Sequence, residues 1–123
     1  MNVIDSSFWF EYYSESKYVS HISDMLDRMN EVIVPTIVIL EVFKKLLQIT
    51  SESEAIIFIA QMKKGILIPL DFDLSLSAAV YGREFKLPLA DSIIYATAMK
   101  HNATLYTMDK HFKSLPNVQF YEK

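Results

Sequence analysis

Four carboxylates in this chain sit where a carboxylate is not the expected residue: Asp5, Glu41, Asp91 and Asp109. Asp5 ends an apolar run in VIDSS, and Glu41 interrupts TIVILEVF. Asp91 lies early in LPLADSIIYATA, on one helical face with Ile94, Tyr95 and Ala98, and Asp109 closes LYTMD. Each has an ordinary structural reading. Asp5 would cap a short helix beginning near Ser6. Glu41 precedes Lys45 by four residues, a helical ion-pair spacing worth about 0.2–0.5 kcal/mol. Asp91 would complement a helix dipole, worth about 0.3–1 kcal/mol. Asp109 would cap a terminal turn. Asp71 and Asp73 serve as controls, because an N-cap before the next helix accounts for at least one of them. Asp24 and Asp27 fall on the polar side of an amphipathic helix and are set aside.

The four acids mean something different if they converge. Two unit charges about 4 Å apart repel by about 4 kcal/mol at an effective dielectric of about 20. Four carboxylates in one pocket therefore require protons or a cation. Oxygen-only ligands favour Mg²⁺ or Mn²⁺ over zinc. The histidines, His21, His101 and His111, show no paired ligand spacing, and His111 reads as a surface residue. A carboxylate-held divalent cation at a strand edge is suited to phosphoryl transfer, by activating water and stabilising the leaving oxygen.

Convergence depends on the elements that carry these residues. Short apolar runs recur at Val3-Ile4, Val32-Ile33-Val34, Ile66-Leu67-Ile68, Thr104-Leu105-Tyr106 and Val118-Gln119-Phe120. The intervals between them carry helical periodicity, over residues 17–30, 36–48, 53–64, 73–85 and 89–101. Thr36 is the expected N-cap of the second. Strands alternating with helices predict an α/β fold with a mainly parallel sheet covered on both faces. In such sheets functional groups gather beyond the carboxyl ends of the strands. The aromatic group Phe8, Trp9, Phe10, Tyr12 and Tyr13 reads mainly as core.

Composition narrows the function classes. A chain of 123 residues, 51% hydrophobic, suits one domain with a core that needs no staples. Two glycines and four prolines are poor punctuation for an all-β fold. Cys is absent, which excludes disulfides and thiolate zinc sites and fits a reducing cytoplasm. The opening MNVIDSSFWF lacks a basic leader region, so no signal peptide is expected, and no apolar run reaches membrane-span length. A net charge of −3 argues against bulk electrostatic nucleic-acid binding. Phosphate contact must come from local basic groups and bound cations.

The strings MNVIDSSFW, VPTIVILEV and LPLADSIIYATAMKHNATLYTMDKHFKSL together resemble the PIN-domain ribonucleases, and more narrowly the VapC toxins of toxin–antitoxin modules. The resemblance covers essentially the whole chain and implies a three-layer α/β/α sandwich around a central, mainly parallel sheet. It implies metal-dependent endonucleolytic cleavage of RNA, with Mg²⁺ or Mn²⁺ held by Asp5, Glu41, Asp91 and Asp109. Asp5 and Asp91 would be the main ligands. Glu41 would hold metal or orient water, and Asp109 would complete the site. Ser7 and Thr107 match the hydroxyl positions that orient the carboxylates. Arg83, Lys86, Lys110 and Lys113 flank these segments as candidates to hold the RNA backbone, or as solvated surface charges. The resemblance also implies a cognate antitoxin that covers an apolar groove, and a homodimer. One rival, a phosphoacceptor receiver domain, lacks its acidic pair after the first strand and a suitably placed lysine after the last. Another, a catalytically silent PIN-like module that binds protein or RNA, is countered by the intact acid set. A third, a nuclease acting on DNA or flapped structures, is countered by the lack of added arch or clamp segments.

Overall fold

The computed structural model describes all 123 residues. Five strands form one sheet: β1 (Asn2–Ile4), β2 (Val32–Pro35), β3 (Ile66–Ile68), β4 (Thr104–Thr107) and β5 (Val118–Phe120). Their spatial order is β3-β2-β1-β4-β5, and every pairing is parallel. Six helices accompany them: α1 (Ser6–Tyr13), α2 (Val19–Leu26), α3 (Thr36–Ile49), α4 (Glu52–Met62), α5 (Phe72–Phe85) and α6 (Leu89–Lys100). The result is the α/β/α sandwich expected of the sequence. No helix is long and apolar enough to cross a membrane.

The five apolar runs coincide with the five strands, because a parallel strand buried on both faces needs an unbroken apolar stretch. Val3, Ile4, Val32, Ile33, Val34 and Leu105 are buried accordingly. The edge strand β3 departs from this: Ile66 and Leu67 are exposed although equally apolar. The spacing of Val38, Val42 and Leu46 along α3 gives that helix its buried face. Phe8 and Trp9 are fully buried, while Phe10, Tyr12 and Tyr13 pack partly exposed against the core.

Two local expectations need correction. Thr36 is the first helical residue of α3, not its cap; Pro35 holds the N-cap position and no side chain caps the helix. Pro35 has no N–H to leave unsatisfied, so β2 passes into α3 without a connecting loop. The helical interval 17–30 is shorter than its periodicity, since α2 ends at Leu26 and a 3₁₀ turn, Met29–Glu31, leads into β2. Asp71 does cap α5, accepting a bond from the Leu74 amide at 2.8 Å. Gly65 enters β3 through a close approach: a Cβ there would lie 2.7 Å from Val34 Cγ2 and 2.9 Å from the Val32 carbonyl oxygen.

The strand order fixes where a site can form. From β1 the chain moves outward through β2 and β3, then crosses back to the other side of β1 for β4 and β5. The β1/β4 boundary is thus the topological switch point, where a crevice opens beyond the strand ends. Asp5 follows β1 directly, and Asp109 lies two residues beyond β4.

Candidate active site

Register brings the first two segments together. Ile4 pairs with Tyr106 across β1 and β4, and the Asp5 amide donates to the Tyr106 carbonyl at 2.9 Å. Thr107 therefore lies beside Asp5, and its Oγ1 donates to Asp5 Oδ2 at 2.8 Å. Ser7, on the first turn of α1, donates to the same oxygen at 2.9 Å. Each hydroxyl is itself anchored. Ser7 Oγ accepts from the Met108 amide at 3.1 Å, and Thr107 Oγ1 accepts from the Asp109 amide at 2.9 Å. With both protons committed to Asp5, the 3.5 Å approach between the two hydroxyls is a contact rather than a further bond. One oxygen of a carboxylate that is only 2% exposed is thereby fixed. The side chain of Asp5 forms no cap bond to α1, so helix capping is not its role.

Glu41 reaches the same place from α3, one residue before the buried Val42. Its Oε1 is buried without a hydrogen-bond partner. The ion pair expected with Lys45 does not form. Lys45 Nζ instead lies 4.1 Å from the centre of the Phe10 ring, a cation–π contact drawn from packing of α1 against α3. Asp91 comes from the first turn of α6 and is 8% exposed. Asp109 caps the 3₁₀ turn Lys110–Phe112, accepting from the His111 amide at 2.9 Å, as its ordinary reading holds. The same turn swings the His111 ring inward. Its Nδ1 lies 3.0 Å from Asp91 Oδ2 and 3.0 Å from Asp109 Oδ1.

These groups line a cleft of about 530 Å³ bounded by Asp5, Ser7, Glu41, Asp91 and Asp109, with an apolar wall that includes Phe10, Ile37 and Leu40. Lys44 and Lys45 line it as well. Lys110 borders an adjoining hollow that also contains Ser7, Asp109 and His111. Arg83 and Lys86, at the end of α5, do not line the cleft. Neither does Lys113, which is 3.4 Å from Glu122 and lies over the Phe120 ring. His111 is half exposed, consistent with its surface reading, yet it belongs to the acidic cluster. The sequence signal for it is Asp109-x-His111 in a turn after a strand. Lys44 and Lys45 follow Glu41 by three and four residues, and so share its helix face.

The electrostatics are those of crowded, poorly solvated carboxylates. Burial raises the Asp5 pKa, against the two hydroxyl bonds that lower it. Burial and the neighbouring Asp5 raise that of Glu41. Burial, then Asp109 and Asp5, push Asp91 up to about 7, with His111 opposing. The carboxylate of Asp109, and then that of Asp91, raise the pKa of His111. A divalent cation fits this donor set. It would offset the mutual repulsion, and the orphaned Glu41 Oε1 is available to it or to its water. Donor atoms of Asp91, Asp109 and His111 lie within 4.8 Å of one another.

Comparison with known proteins agrees with the geometry. No curated protein sequence matches the chain. Among solved structures, a toxin–antitoxin complex from Klebsiella pneumoniae superposes with a TM-score of 0.84 at 22% identity, covering 100% of both chains. VapBC2 from Rickettsia felis, bound to a DNA fragment from its promoter, gives 0.76 at 15% identity over 98% of this chain and 97% of that one. VapC20 from Mycobacterium tuberculosis, described as a sarcin–ricin loop cleaving toxin, gives 0.74 at 18% identity over 100% and 98%. At these identities the likeness establishes the fold. The family model of the PIN domain matches residues 3–118. With nearly the whole length matched, the chain belongs to the PIN domain family.

Proposed function

We propose that this chain is a divalent-metal-dependent endoribonuclease and the toxin component of a toxin–antitoxin pair. The observation that carries the reading is the meeting of Asp5, Glu41, Asp91 and Asp109 at one cleft, from four separate segments. The structural neighbours, several of them toxin–antitoxin complexes, support it.

Asp5 and Asp91 would hold the cation, Mg²⁺ or Mn²⁺, and Asp109 would complete the site. When bound, such an ion lowers the pKa of water and neutralises charge developing on the phosphate. Ser7 and Thr107 fix one oxygen of Asp5, which would leave the other free for the cation. Glu41, with a raised proton affinity and an unpartnered oxygen, orients the attacking water and takes up its proton. Water oxygen bonds to phosphorus, the P–O3′ bond breaks, and solvent returns a proton to O3′. The products are a 5′-phosphate and a 3′-hydroxyl. Lys44 and Lys45 hold the RNA backbone along the cleft wall, with Lys110 beyond Asp109.

Exposed apolar residues support the partners. Leu40 at the cleft and Leu47 on α3, with Ile56 and Ile57 on α4, offer an antitoxin a surface beside the site. Phe72, Leu76 and Val80 recur every four residues along α5 and are exposed, which supports a homodimer. The working compartment is the cytoplasm, where RNA and a reducing environment coincide.

The test is cleavage of a labelled RNA set with Mg²⁺, Mn²⁺ or EDTA, by wild type and Asp5→Asn prepared in parallel. Metal-dependent cleavage that vanishes in the variant is the expected result. Cleavage unchanged in Asp5→Asn exposes a contaminating ribonuclease. Absence of both cleavage and metal binding in the wild type removes the catalytic assignment.

A further inference from the structure

We propose that His111 is a direct ligand of the cation, making this a mixed carboxylate–imidazole site that selects Mn²⁺ over Mg²⁺. The inference rests on the metal-dependent reading above and goes beyond it, since that reading uses oxygen ligands only.

The geometry points to a shared cation. One nitrogen, His111 Nδ1, lies 3.0 Å from carboxylate oxygens of two different elements, Asp91 on α6 and Asp109 after β4. A ring nitrogen carries at most one proton, and two carboxylates compete for it. Neighbouring ligands of a six-coordinate ion with bonds of about 2.1 Å lie about 3.0 Å apart. The nitrogen therefore already stands at ligand-to-ligand distance from both oxygens, and all three donors fall within 4.8 Å of one another. A small adjustment would seat an ion between the three donors. The backbone of the turn is set separately, because the His111 amide donates to Asp109 Oδ1 at 2.9 Å. The side chain is 56% exposed, so a purely electrostatic pair at its outer edge is worth little.

Ligand chemistry then sets the preference. Mg²⁺ holds oxygen ligands and parts with water reluctantly, whereas imidazole suits Zn, Cu, Fe and Ni best. Mn²⁺, the weakest of the first-row series, shares the carboxylate and water preference of Mg²⁺ while still belonging to that series. Mn²⁺ accepts carboxylate, water and imidazole together. His111 thus gives the site a nitrogen that rewards Mn²⁺ and leaves Mg²⁺ nearly indifferent.

The experiment uses the full chain with Mn²⁺ alone as the probe. Binding is followed by titration, and the bound ion is examined by pulsed electron paramagnetic resonance for coupling to ligand nitrogen. Wild type is expected to show nitrogen coupling that changes on ¹⁵N-histidine labelling and disappears in both His111→Ala and His111→Gln. Mn²⁺ affinity is expected to fall at least about tenfold in both variants, and Mg²⁺ affinity to change less than about threefold. Mn²⁺ bound by wild type with no nitrogen coupling overturns the inference and leaves a carboxylate-only metal site intact. Coupling that persists in folded His111→Ala overturns it too. Failure of wild type to bind Mn²⁺ or Mg²⁺ at all removes the metal-dependent reading with it.

Discussion

Raising the pH should destabilise the metal-free protein, and Asp91 sets the size of the effect. Burial and two neighbouring carboxylates push its pKa from 3.8 to about 7. Below its ordinary value the group is protonated in both folded and unfolded chains. Between the two values the folded chain holds a proton that the unfolded chain has released, so stability falls as pH rises. Each unit of that gap is worth about 1.4 kcal/mol, and most of the interval between pH 5 and 7 lies inside it. The fold should lose roughly 2–3 kcal/mol between pH 5 and 8. For a chain of this length that lowers Tm by roughly 8–12 °C. Asp5, Glu41 and His111 also have raised values, and raised values carry the same sign for acid and base alike. Their shifts reinforce the fall. Saturating Mn²⁺ or Mg²⁺ binds the ionised carboxylates, and so should flatten or invert the slope. The assay is calorimetric or circular-dichroism melting across pH 5–8, in EDTA and then in metal, with Asp91→Asn alongside. In EDTA the variant should have a shallower slope, with Asp5, Glu41 and His111 supplying what remains. A wild-type Tm that is level or rises from pH 5 to 8 in EDTA would refute the claim that the acids are held against their charge.

Three further outcomes follow from the site's construction. Glu41→Gln removes a poorly solvated charge and should raise metal-free Tm, by about 1–2 kcal/mol of stability at pH 8, while reducing RNA cleavage at least about 100-fold; melting and cleavage assays on one preparation check both. Thr107→Val keeps the shape of the side chain but leaves Asp5 Oδ2 with Ser7 as its one hydroxyl donor and strands the Asp109 amide, costing about 1–3 kcal/mol and weakening metal binding about 10–100-fold by calorimetric titration. Lys44→Ala with Lys45→Ala should raise the KM for RNA, reduce its dependence on salt by about one to two phosphate contacts, and leave metal affinity unchanged; cleavage measured across salt concentrations reads this out.

How much of this was legible in the sequence depends on whether a residue's role is set locally. The five strands could be placed because strands buried in a parallel sheet must be uniformly apolar, and Val3, Ile33 and Leu105 obey that rule. Ile66 and Leu67 follow it in sequence yet lie at an exposed edge, since no local pattern records a strand's place in the sheet order. Asp5 and Asp109 could be located at the carboxyl ends of strands, and their segments matched a known family. Glu41 could not be resolved from its own helix. The spacing to Lys45 was favourable, and only the packing of α1 beside α3 shows that Phe10 draws the lysine instead. His111 was passed over because ligand spacing was sought among histidines, whereas its partners are aspartates 20 and 2 residues away. Arg83 and Lys86 are near Asp91 in sequence but do not line the cleft, whose lysines come from α3.

The central position of β1 has a consequence for synthesis. The opening strand pairs with β4, and the Asp5–Thr107 bond joins residues 102 apart in the chain. No growing polypeptide that stops short of residue 109 contains the complete acidic cleft, however well its first three strands have assembled. A ribosome translating this message thus carries an incomplete acidic cleft until nearly all of the fold has been made.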